Sequence, residues 1–151
     1  MVGRLYWPDP ETKRDPVRRW ARQDRCFFGY GACHILAGAF LKLYPDQGFK
    51  AHWIQPNEGY YGNHIFVAQG DLAFDHHGYC HKKCLLNHLM IGWKARYEGW
   101  DFKLVEVKFD LLDTTNLNER NMLGARQYLH DAEKRADAFV KRYPAPHRVV
   151  L

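Results

Sequence analysis

The chain has 151 residues, 46% hydrophobic, 15% aromatic and 26% charged, which is enough apolar surface for one core and too much for an intrinsically disordered chain. No window approaches the roughly 20 consecutive apolar residues of a membrane span. The opening Met1-Val2-Gly3-Arg4-Leu5-Tyr6-Trp7-Pro8 lacks the apolar run and small-residue cleavage site of an export signal, so a soluble, cytoplasmic protein with no membrane partner is expected. The net charge of +5 divides into +3 over residues 1–25, −1 over 26–114 and +3 over 115–151; a near-neutral middle argues against a surface that tracks nucleic-acid phosphates.

In chain order, a Pro-punctuated stretch, Trp7-Pro8-Asp9-Pro10, precedes a basic segment in which Asp15 as N-cap and Pro16 at the first helical position predict a short helix. Phe27-Phe28-Gly29-Tyr30-Gly31-Ala32 reads as a Gly-bearing turn. Apolar residues at 33, 36, 37, 40, 41 and 44 then follow helical spacing until Pro45 and put Cys33 at the N-terminus of a largely buried helix. Strands are expected over 49–55, 63–69, 72–75 and 102–109, forming a small antiparallel sheet, and a helix from about His81 to Tyr97 aligns Leu85, Leu86, Leu89, Met90, Trp93 and Tyr97 on one face. From Asn116, with Glu119 three residues on, apolar positions step by three and four to Tyr143; this predicts one long C-terminal helix over about 116–143, which packs on the core or pairs with a second copy. The expected fold class is therefore α+β, a single domain over 1–151 with its core in about 24–110.

Four Cys are too few for a disulfide scaffold, so each reads as core filler, ligand or nucleophile. The order Cys33, His64, Asp75 is the strongest chemical signal. A helix N-terminus preceded by glycines favours a thiolate and offers amides to an oxyanion, an imidazole can take the thiol proton, and a carboxylate can fix that imidazole's tautomer. Hairpin geometry supports the pairing. With Gln69-Gly70 as turn residues His64 faces Asp75 directly, and with Gly70-Asp71 it becomes a diagonal neighbour on the same face.

Gly31-Ala32-Cys33-His34-Ile35-Leu36-Ala37, Gly62-Asn63-His64-Ile65-Phe66-Val67-Ala68 and Phe74-Asp75-His76-His77-Gly78 together resemble the papain-like cysteine hydrolase core, closest to its small bacterial and phage-type members, over roughly residues 24–80. The resemblance implies a papain-like fold, a nucleophile-bearing helix on a small sheet. It also implies amide, isopeptide or thioester chemistry on a protein or peptide substrate, with Cys33 as nucleophile, His64 as base, Asp75 as orienting group and no cofactor. One departure is that the family's Gln shortly before the Cys is absent: position 27 is Phe27, and Gln23 is the one substitute upstream.

Competing readings come from other residues. A non-catalytic binding or inhibitor protein of phage or mobile-element origin would use the same scaffold with a basic exterior. His76, His77, Cys80, His81 and Cys84, with His88 beyond, supply enough ligands for a zinc-stabilised nucleic-acid binder, although their spacing is irregular. Cys26 reads as filler beside Phe27 and Phe28. His52-Trp53 and Tyr60-Tyr61-Gly62 are candidates to line a groove, with 55–62 as a flap over it, while Trp53 reads first as a core residue. Arg18, Arg19, Arg22, Arg25, Lys134, Arg135, Lys141 and Arg142 read as a solvated basic surface.

Overall fold

The computed structural model describes residues 14–151; the stretch Trp7 to Pro10 lies outside the described residues. As expected, Asp15 caps helix α1 (Pro16–Trp20), its carboxylate accepting from the amides of Val17 and Arg18. The Gly-bearing turn is confined to Tyr30 and Gly31, with Gly31 at φ 124°, and Phe27 to Gly29 instead end a second helix, α2 (Asp24–Gly29). Its two phenylalanines are 1% and 0% exposed, and one short helical turn buries both adjacent rings where an extended turn would expose one. Helix α3 (Cys33–Leu43) follows.

The sheet has five antiparallel strands in the order β4-β3-β2-β1-β5. These are β1 (Lys50–Pro56), β2 (His64–Gln69), β3 (Leu72–Asp75), β4 (Gly78–His81) and β5 (Phe102–Glu106). Strand β4 was not legible in the sequence: it is four residues long, begins with Gly and exists only through its ladder with β3. The β2–β3 register pairs Val67 with Phe74 and Gln69 with Leu72, which is the Gly70-Asp71 turn, with Gly70 at φ 59° as the first central residue. His64 is thus the diagonal neighbour of Asp75.

Strand β2 is covered on both faces, which explains its unbroken apolar run. Ile65 and Val67 join Phe74 in the core formed with α3, whereas Phe66 and Ala68 join Ala73 in a second core with Leu85, Leu89 and Trp93 of α4 (Lys82–Arg96). Each of the Ile, Val, Leu and Phe side chains among these contributes about 1.5–3 kcal/mol.

The long C-terminal helix is not formed. Asp113, not Asn116, caps a short α5 (Thr114–Asn118), and Asp131 caps α6 (Ala132–Val140). Between them Asn121 adopts φ 60°, and the Gln127 side chain bonds both the Gly124 amide and Asn118, local bonds that replace a helical ladder. The apolar face of α6, Ala132, Ala136, Phe139 and Val140, lies in this chain's own core against α3, so it is not a free face for pairing with a second copy. Nor is Arg135 solvated. Its guanidinium bonds Asp24 and the carbonyls of Trp20 and Arg22 and lies 4.1 Å from the Phe27 ring centroid, clamping α1 and α2 to α6.

Gly78 closes the β3–β4 turn at φ 87°, and a Cβ there would lie 2.5 Å from Tyr143. Gly78→Ala is expected to cost about 2 kcal/mol or more in urea unfolding, from backbone strain and overlap together; a loss below about 0.5 kcal/mol would contradict this packing.

Candidate active site

The site forms where β2 outlasts β3. Continuing the ladder would set Ile65 opposite His76, but β3 ends at Asp75, and the Ile65 amide donates instead to Cys33 Sγ at 3.4 Å. The first residue of α3 therefore fills the open end of the sheet. By strand alternation His64 and Asp75 share the α4-side face with Phe66 and Ala73, and His64 Nε2 lies 3.0 Å from Asp75 Oδ2. Cys33, His34 and His64 line one cavity, and the imidazoles of His34 and His64 act electrostatically on the Cys33 thiol. With Nε2 committed to Asp75, the second ring nitrogen of His64 is Nδ1. The structure thus places the three sequence-predicted residues together at one end of the sheet, with His64 and Asp75 directly hydrogen-bonded.

Asp75 is held by a tight turn. The Asp75 to Gly78 pairing leaves His76 and His77 as the two turn residues, and Asp75 Oδ1 accepts from the His77 amide at 2.8 Å and from His77 Nδ1 at 3.2 Å. His76 Nδ1 is 3.5 Å from Oδ2. Three imidazoles therefore surround one buried carboxylate. The close approach of His76 needs Gly29, since a Cβ there would come within 3.0 Å of its ring.

The electrostatics follow from burial set against these bonds. Burial pushes the Cys33 thiol up, but hydrogen bonds from His34 and His64, and the positive charge they carry when protonated, bring it down from 9.0 to about 5. For His64, burial disfavours the charged ring, yet the bonds to Asp75 and Cys33 outweigh it and raise the pKa from 6.5 to about 10. Burial opposes the charge of Asp75 too, but the surrounding imidazoles hold its carboxyl well below the usual range. His76 is held neutral, its pKa lowered to about 3 chiefly by burial.

These groups open on a cavity of about 720 Å3, lined by Cys33, His34, His64 and His76 together with Trp53, Tyr61, Asn63, Leu89 and Trp93. Cys33 is partly buried and is part of this cavity's wall. Trp53 donates its indole N–H to Asn63 Oδ1 at 3.0 Å on this wall. Tyr60 turns away, its hydroxyl donating to the Glu98 carbonyl. The expected flap is fastened: Asn57 bonds Gly99 and Asp101, and Trp100 donates to the Tyr61 carbonyl at 2.8 Å. Gln23 is exposed at the α2 N-cap and does not line the cavity.

The zinc set suggested by spacing is not assembled among the described residues. His81 pairs with Asp71, Cys84 is exposed, and burial pushes Cys80 up to about 12. The His64, Asp75 and His76 ligand atoms do lie within 4.8 Å of one another, close enough to hold an ion, and two of them, His64 and Asp75, are hydrogen-bonded to each other. Sequence reasoning missed His34 and the 121–123 stretch, which also line the cavity. The signal for His34 was available: it is a lone imidazole beside Cys33 in a helix that is otherwise apolar up to Lys42, and it is 4% exposed. No family model matches the chain, and no curated protein or solved structure matches it either.

Proposed function

We propose that the protein is a papain-like thiol hydrolase acting on an amide or isopeptide bond. The observation that carries this reading is that Cys33 lines one cavity with His64, whose imidazole is hydrogen-bonded to the buried Asp75. The Cys33 thiolate attacks the carbonyl carbon, forming the S–C bond, and the developing oxyanion takes a hydrogen bond from the Cys33 amide at the first position of α3. His64 gives its Nδ1 proton to the leaving nitrogen as the C–N bond breaks, while Asp75 keeps the ring oriented and stabilises its charged form. Water then attacks the thioester, its proton passing to His64 and the thiolate leaving. The same acyl-enzyme would serve deamidation of a side-chain amide, or transfer if an amine replaces water.

The test needs no substrate. At pH 6 a thiol of pKa about 5 is mostly ionised, whereas an ordinary thiol near 8.5 is ionised at roughly 0.3%, an advantage of about 300-fold that the lower nucleophilicity of the more acidic thiolate reduces to about tenfold. Iodoacetamide at pH 6 followed by peptide mass spectrometry is therefore expected to label Cys33 about ten times faster than an ordinary thiol, and Cys80 far more slowly still. Labelling of Cys33 no faster than Cys26 or Cys84 would favour a non-catalytic binding protein.

A further inference from the structure

The His76 ring carries a buried nitrogen that makes no hydrogen bond. This atom is Nδ1; the side chain is 10% exposed, and Asp75 Oδ2 stands 3.5 Å away without accepting from it. Buried polar atoms are almost always partnered, so this one calls for an explanation. The ring is fixed by α2, because its Cδ2–Nε2 edge lies against Gly29, where a Cβ would come within 3.0 Å of Cδ2 and 3.2 Å of Nε2. The same Asp75 Oδ2 lies 3.0 Å from His64 Nε2, while Oδ1 is held by the His77 amide at 2.8 Å and the His77 ring at 3.2 Å. One carboxylate oxygen is thus approached by two imidazole nitrogens. All three residues are buried, and their ligand atoms lie within 4.8 Å of one another.

We propose that His64 Nε2, Asp75 Oδ2 and His76 Nδ1 form a binding site for one zinc ion, whose fourth position is left to water from the cavity that His64 and His76 line. Zinc takes imidazole nitrogen and carboxylate oxygen at about 2.0–2.2 Å, so tetrahedral angles set ligand atoms about 3.3–3.4 Å apart. The contacts of 3.0 and 3.5 Å bracket that spacing. Two imidazoles and one carboxylate suit zinc, whereas magnesium and calcium take oxygen ligands. The ion replaces the proton between His64 and Asp75: the Nε2–H bond breaks, the proton leaves to solvent, and N–Zn and O–Zn bonds form. His76 keeps its proton on Nε2 and gives the Nδ1 lone pair, and His77 is the outer partner that orients the carboxylate. Only His76 is shared with the ligand set that spacing suggested. The effect on turnover rests on the hydrolase reading. A neutral ring with zinc on Nε2 carries its proton on Nδ1 and has no lone pair for the thiol proton, so the ion silences the base until it leaves.

The experiment is calorimetric titration of zinc into the full chain and into His76→Gln, Asp75→Asn and Cys33→Ala, with folding checked by thermal unfolding. One ion per chain is expected, with affinity unchanged in Cys33→Ala. His76→Gln and Asp75→Asn are expected to bind at least about 100-fold more weakly, since losing even an outer partner of a zinc ligand costs roughly 10–100-fold. An unaltered chain that takes up no zinc overturns the proposal, as does a His76→Gln chain that binds like the unaltered one. Loss of binding in Cys33→Ala also overturns it, because the ion is then on the sulfur. A measurement without substitution is the absorption spectrum of the full chain with cobalt(II) in place of zinc. Visible ligand-field bands without a thiolate-to-cobalt charge-transfer band are expected, and a thiolate band overturns the proposal. Zinc binding in a chain whose Cys33 alkylates as an ordinary thiol retires the hydrolase reading and leaves the metal site standing. A fast-alkylating Cys33 in a chain that takes up no zinc does the reverse.

Discussion

Asp75→Asn is expected to lower turnover of any amide substrate by roughly 10^4-fold, the scale seen when an orienting carboxylate becomes an amide with the geometry kept. The physical reason lies in which atoms can donate. His64 Nε2 gives its proton to Asp75 Oδ2 at 3.0 Å; an Asn Nδ2 in that place is itself a donor and forces the proton onto the nitrogen facing the sulfur. His64 then has no lone pair for the thiol and loses the negative charge that raises its pKa to about 10. Without a substrate in hand, the same substitution is read at pH 6, where Cys33 alkylation is expected to slow clearly. An unchanged rate would mean that Asp75 acts only on the turn it closes, through the His77 bonds.

The second large effect is on stability against pH. Cys33 titrates near 5 folded against about 9 unfolded, so in that window the unfolded chain binds more protons and stability rises with pH. His64 does the reverse between 6.5 and about 10. The two cancel from about 6.5 to 9, where folding only moves one proton from sulfur to imidazole. His76, neutral when folded down to about 3, adds stability above 6.5 that is lost as pH falls toward 3, and Asp75 adds a further loss below about 4. Urea unfolding is thus expected to give a plateau from about pH 6.5 to 9. The acid arm should fall by about 1.4 kcal/mol per pH unit for each proton taken up, and a basic arm should begin near 9. His76→Gln is expected to flatten the acid arm without moving the basic one. A profile level from pH 4 to 7 would contradict the buried neutral His76.

The site was more legible in the sequence than the elements around it. His64 and Asp75 are joined by a two-residue hairpin whose side-chain parity keeps them on one face in either register, so their meeting depended on local geometry alone. Cys33 was visible because an amphipathic pattern begins on it. The stretch after residue 115 misled because apolar spacing is shared by a continuous helix and by two short helices folded against one core; Asn121, Gly124 and Gln127 decide between them through a left-handed backbone turn and local side-chain bonds. Strand β4 and helix α2 were hidden likewise, each too short to carry a period. His34 was passed over because its hydrogen-bond partner is a carbonyl 89 positions away, which no spacing pattern reveals.

The hydrogen bond from the Ile65 amide to Cys33 Sγ makes the last rung of the sheet dependent on the charge of one atom. A thiolate accepts that bond strongly, whereas an acylated or alkylated sulfur, having shed its negative charge, accepts it poorly. Deuterium uptake at this single backbone position would therefore report the covalent state of the nucleophile from within the scaffold, with no label on the substrate.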